Sequence, residues 1–76
     1  MEINRRAFQQ ARVRAGLSFR ELAARAGVAR DSVFYIEKGT QKPRPATIKK
    51  LADALGVSVD DLVVWTAEDE PTGEQR

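Results

Sequence analysis

Cysteine and histidine are both absent from these 76 residues. Without cysteine there is no disulfide staple, and without either residue the usual zinc ligands are missing. The lack of histidine also removes the commonest general base of enzyme chemistry. No apolar run approaches the roughly 20 residues a membrane-spanning helix needs, and no signal-peptide hydrophobic segment follows Met1. The expectation is a cytoplasmic, soluble protein and not an enzyme, with no metal, cofactor or small-molecule ligand. A chain this short holds one small domain, at a size where a single core stabilises only marginally. Efficient helix packing, helped by self-association, has to make up the difference.

What is present is charge, unevenly spread. The formal net charge is only +2. Residues 1–50 carry 12 Lys and Arg against Glu2, Glu21, Asp31 and Glu37, a surplus of +8. Residues 51–76 carry Arg76 against seven acids, a deficit of −6. Such a split points to a basic working surface and an acidic remainder, although a well-solvated face would look the same.

The most informative stretch is Leu17 to Gly39, LSFRELAARAGVARDSVFYIEKG. Ser18 and Glu21 form a capping box that opens a helix, and Leu22, Ala23 and Ala26 give it one apolar stripe. Gly27-Val28 interrupts. A second run begins near Ala29, turns Val33 and Ile36 inward, and ends at Gly39. Two short helices joined by a glycine turn are the sequence form of a helix-turn-helix.

The flanks read as its support. Asn4 caps a first helix, with Ile3 and Phe8 spaced as a hydrophobic staple, Phe8, Ala11 and Ala15 on the inner face, and Gly16 at the end. Lys38 to Pro45 is a loop, and Pro45 suits the first turn of a fourth helix carrying Ile48, Leu51, Ala52 and Leu55. Ser58 and Asp61 start a short fifth helix through Val59, Leu62 and Trp65. Residues 1–65 thus form an all-α, compact five-helix domain. Residues 66–76, with Glu68, Asp69 and Glu70 and almost nothing apolar, form an acidic tail expected to be disordered.

On the third helix, Arg30, Asp31, Phe34 and Tyr35 share the face opposite Val33 and Ile36, because offsets of three and four coincide. Two aromatics, an Arg and an Asp suit a DNA major groove. Arg pairs with guanine, a carboxylate accepts from cytosine, and an aromatic packs on the thymine methyl. The alternative is that Phe34 or Tyr35 completes the core or a dimer contact. Candidate phosphate contacts are Arg20 and Arg25 on the second helix, Ser32, and Lys38, Lys42 and Arg44 after the third, with backbone N–H groups in the first turn of the second helix, around Ser18 and Phe19.

These features together resemble the Cro/C1-type (XRE-like) helix-turn-helix regulators of phages and bacteria. The resemblance runs through Ala11-Arg12, Ala15-Gly16-Leu17-Ser18, Glu21-Leu22-Ala23, Ala26-Gly27-Val28, Val33, Ile36-Glu37-Lys38-Gly39, Pro43, Thr47-Ile48, Leu51-Ala52, Ala54-Leu55-Gly56-Val57-Ser58 and Leu62. It implies a lambda-repressor-like DNA-binding domain with the helix-turn-helix at helices 2 and 3. The third helix would enter the major groove, usually as a homodimer on a palindromic double-stranded operator. It also implies an internal ion pair between Arg12 and Glu37, with Arg12 reaching toward a phosphate. Four positions depart from the pattern. Phe19 stands where Gln is common, Ala29 stands where a capping Ser or Thr is usual, and Phe34 and Tyr35 replace polar residues.

Leu62-Val63-Val64-Trp65 is apolar on all sides, so Val63, Val64 and Trp65 are dimer candidates, with closure of the core by Trp65 as the alternative. The expected function is a transcriptional regulator, a repressor or autoregulatory controller. The alternative is an interaction module that uses the same fold to bind a protein partner.

Overall fold

The computed structural model describes residues 2–65, and the acidic tail expected over 66–76 lies outside them. Its elements in order are strand β1 (Glu2–Ile3), helices α1 (Arg5–Arg14), α2 (Phe19–Ala26), α3 (Arg30–Lys38) and α4 (Pro45–Leu55), a 3₁₀ turn (Val59–Asp61) and strand β2 (Val63–Val64).

The caps explain the boundaries. Asn4 accepts the Ala7 N–H through its side chain at 3.1 Å and opens α1. Ser18 and Glu21 close the full capping box on α2, Ser18 N–H to Glu21 Oε1 at 2.8 Å and Glu21 N–H to Ser18 Oγ at 3.1 Å. Ala29 begins α3 without any side-chain cap, as its missing hydroxyl requires. Pro45 occupies the first turn of α4, where a missing N–H leaves no ladder bond unmade.

Each helix turns its apolar stripe to one centre. Phe8, Leu22, Val33, Ile36, Leu51 and Leu62 have no exposed surface, and Ile48 keeps only 1%. Burying such a side chain is worth about 1.5–3 kcal/mol each, enough to hold helices of three turns or fewer that would not persist alone. No polar or charged residue is buried among the described residues, so the core is wholly apolar.

The expected fifth helix does not form, and the described residues make a mostly helical fold with four α-helices rather than an all-α one with five. After the 3₁₀ turn the chain extends, and β2 pairs antiparallel with β1 in the register Glu2 to Val64 and Ile3 to Val63. Beside the pair, Asn4 N–H donates to the Leu62 carbonyl at 2.8 Å. Two consecutive β-branched valines favour an extended backbone, and the N-terminal strand gives it a partner. The Ser58–Asp61 cap still exists in reduced form, Ser58 N–H to Asp61 Oδ2 at 3.3 Å, but it starts only a single turn.

The candidate nucleic-acid interface

Three helices converge on one side chain. Arg12 of α1 is only 15% exposed and Glu37 of α3 only 9%. Arg12 donates through Nε and Nη2 to the two Glu37 oxygens, each at 2.9 Å, and through Nη1 to the Leu17 carbonyl at 2.8 Å. Its guanidinium also lies over the Phe19 ring, 4.4 Å from the centroid. The planar fork matches a carboxylate in a way a lysine could not, and one N–H on each Nη is left for an outside acceptor. Glu37 and Leu17 thereby hold α3 in a fixed orientation relative to α1 and the start of α2.

Beyond this pair, α3 presents the four residues expected to share a face. Arg30 and Asp31 are exposed and form a loose pair at 3.2 Å. Phe34 is 36% exposed and Tyr35 45%, so neither completes the core. Phe34 instead meets Phe19 edge-on, with centroids 5.5 Å apart at 85°, and Tyr35 at 5.3 Å and 68°. The Lys38 ammonium lies 5.3 Å from the Phe34 centroid.

The flanking candidates divide by availability. Arg20, Arg25, Lys38, Lys42 and Arg44 are exposed, and Ser32 is half-buried. The Ser18 hydroxyl is occupied as the cap of α2. Phe19 has no side-chain donor, but its backbone N–H and that of Arg20 fall at the first two positions of α2, where no helical carbonyl can take them. The N-terminus of α2 is therefore a place where an anion meets free N–H groups and the positive end of the helix dipole. Glu21 sits in the same turn. Its carboxyl is held below the ordinary value by the Ser18 N–H, then by the Ser18 hydroxyl, with a smaller contribution from Arg25.

Sequence reading missed Arg5. Its Nη1 donates to the Lys38 carbonyl at 2.5 Å, satisfying one of the orphan carbonyls at the C-terminus of α3. The guanidinium crosses directly over Gly39, whose φ of +91° ends the helix. Nothing in the spacing around Arg5 marks it out, because its target lies 33 residues away.

The chain as a whole is similar to known proteins in sequence and in fold. The family model described as helix-turn-helix matches residues 8–62. The chain belongs to the Cro/C1-type helix-turn-helix family. Among curated relatives of this helix-turn-helix chain is the cryptic phage CTXphi transcriptional repressor RstR of Vibrio cholerae. It is 40% identical over 52 residues, covering 68% of this chain and 47% of the repressor, so the match spans about half of RstR. The restriction-modification controller protein C.AhdI from Aeromonas hydrophila superposes with a TM-score of 0.73 at 30% identity, over 75% of this chain and 86% of that one. The biofilm master regulator SinR of Bacillus subtilis, solved in complex with DNA, superposes with a TM-score of 0.72 at 34% identity, over 76% and 97%.

The three dimer candidates part company. Val63 turns inward and is 8% exposed, because strand alternation sends one valine to the core and the next outward. Val64 is 51% exposed and Trp65 41%. Trp65 does not close the core; Leu62 and Val63 do, while the indole Nε1 donates to Asp60 Oδ1 at 3.0 Å. Among the described residues no helix is long and apolar enough to cross a membrane.

Proposed function

We propose that the chain is a sequence-specific, double-stranded-DNA-binding transcriptional regulator, acting as a repressor or autoregulatory controller. The observation that carries this reading is the face of α3, where Arg30, Asp31, Phe34 and Tyr35 stand exposed while Arg12 and Glu37 fix the helix beneath them. In this reading α3 enters the major groove and those four side chains meet base edges. Arg12, Arg20, Arg25, Ser32, Lys38, Lys42 and Arg44, with the N–H groups of Phe19 and Arg20, meet phosphates and set the register. Ser18 contributes by capping α2. That RstR is a repressor and that SinR has been solved with DNA support the same reading.

The working form is a homodimer on a palindromic operator. The exposed pair Val64 and Trp65 is the surface that supports it, and a two-fold axis there would place the recognition helices about 34 Å apart, on half-sites one turn apart. Val64→Asp should shift sedimentation toward the monomer; a dimer unchanged by it would rule this surface out.

The deciding experiment is a titration onto generic duplex DNA at low and moderate salt. Binding should weaken steeply as salt rises, since each neutralised phosphate releases counterions. No binding, or binding without salt dependence, would overturn the proposal. It would leave the interaction-module reading, for which the exposed aromatics are the supporting feature.

A further inference from the structure

Phe19, Phe34 and Tyr35 are contiguous through two edge-to-face contacts, and they straddle α2 and α3. Phe19 is pinned from behind by the Arg12 guanidinium, itself fixed by Glu37. Phe34 is further covered on one side by Lys38. The outcome is a contiguous aromatic wedge beside the Lys38 ammonium, with the exposed Arg20 next in sequence to Phe19 and the exposed Arg30 one helical turn before Phe34. A cationic rim suits a polyanion, and an apolar centre suits a surface with local apolar points. In the major groove the apolar points are pyrimidine 5-methyl groups.

We propose that Phe19, Phe34 and Tyr35 act as one unit that reads pyrimidine 5-methyl groups, with Phe34 and Tyr35 in contact and Phe19 as the positioning residue behind them. The inference rests on the DNA-binding reading above and deepens it. Two sources supply this group, thymine and 5-methylcytosine, and the wedge accepts either, so affinity at such a position responds to cytosine methylation. Phe19 also acquires a role that the Gln common at this place in the family could not perform.

The test begins with a duplex selected from a random pool by the wild-type protein. Uracil keeps every hydrogen-bonding group of thymine and lacks only the methyl, so single thymine-to-uracil replacements need no altered protein. One or two positions should lose about three- to fivefold in affinity, the size of one buried methyl. That ratio should stay constant between low and moderate salt while overall affinity falls, because a methyl contact releases no counterions. At the same positions, a 5-methylcytosine–guanine pair should bind more tightly than cytosine–guanine by a similar factor. Phe34→Ala, whose ring lies outside the core, should erase the methyl ratio, and Phe19→Leu should reduce it without flattening the salt dependence. Equal binding of thymine and uracil duplexes at every position would overturn the inference and leave the DNA reading intact. A methyl ratio unchanged in Phe34→Ala would also overturn it. Failure of any sequence to be enriched would overturn the DNA reading and the wedge with it. If only thymine and not 5-methylcytosine gave the effect, the proposed response to methylation would be wrong.

Discussion

The Arg12 guanidinium and the Glu37 carboxylate meet as a two-pronged pair, Nε to Oε1 and Nη2 to Oε2, both at 2.9 Å, with little solvent access to either. Desolvating both groups offsets much of their mutual attraction, so the pair adds little net stability. Losing one partner is different, because the other is left nearly buried without compensation. Glu37→Ala should therefore destabilise the fold by about 3–5 kcal/mol in urea denaturation. The double variant Arg12→Met with Glu37→Leu should recover much of that loss. A Glu37→Ala penalty below about 1 kcal/mol would show that the guanidinium finds water instead.

The bare N-terminus of α3 can be improved. Ala29 already has the extended backbone of a capping residue, φ −73° and ψ 143°. Ala29→Ser should add about 1 kcal/mol and raise Tm by roughly 4–8 °C. No change in Tm would mean that a serine hydroxyl at this position does not reach the free N–H groups.

Two glycines at positive φ should respond differently to a methyl group. Gly27, at φ +73°, has nothing within 4 Å of a built Cβ, so Gly27→Ala meets only the left-handed backbone cost of about 1–2 kcal/mol. Gly39→Ala meets that cost and also drives into the Arg5 guanidinium, which must leave the Lys38 carbonyl. The second variant should be the less stable. In an Arg5→Ala background the gap between them should close.

Stability should also carry an acid signature from the capping box. The Glu21 carboxyl titrates below its ordinary value in the folded protein because the ionised form accepts the Ser18 N–H. Its contribution is fully present above the unfolded value, near 4.5, and fades as pH falls through the lower folded value. Glu21→Gln should flatten that part of the stability profile. An unchanged slope between pH 5 and pH 3, on the order of the carboxylate range, would assign acid sensitivity elsewhere.

Base reading and phosphate positioning should separate on DNA. Arg30→Ala should weaken binding to the selected duplex by about 1–3 kcal/mol and relax preference at one base pair. Lys42→Ala should weaken all sequences alike and reduce the salt slope by about 1. Identical behaviour of the two variants on selected and random duplexes would undo the division of roles.

The helices were legible because their signals are local. Ser18 with Glu21, Asn4, Pro45 and the glycine stops each act within one turn, and the apolar spacing of Phe8, Leu22, Val33, Ile36 and Leu51 repeats with the helix. The exposed set Arg30, Asp31, Phe34 and Tyr35 followed from the same geometry. What escaped depends on distant parts of the chain. Val63 and Val64 read as the end of a helix until Glu2 and Ile3 pair with them, and a two-residue strand is too short to show alternation. Arg5 reads as one more surface cation until α3 ends beneath it. Phe19 reads only as a departure from the Gln common at its place, until Arg12 and Phe34 show it packed between a guanidinium and the edge of a second ring.

The β1–β2 pairing has a consequence for the order of assembly. It closes a loop containing all four helices, so its chain-entropy cost is the largest of any contact in the domain and is repaid by only two residue pairs. The helices, whose neighbours are close in sequence, form without it. The strand pair therefore closes late and reopens first, and amide hydrogens at Asn4 and along β2 should exchange ahead of those in α2 and α3. Opening there frees Val63 and bares part of the core beside Val64 and Trp65, so the last step of folding covers the apolar residues next to the pair proposed as the subunit contact.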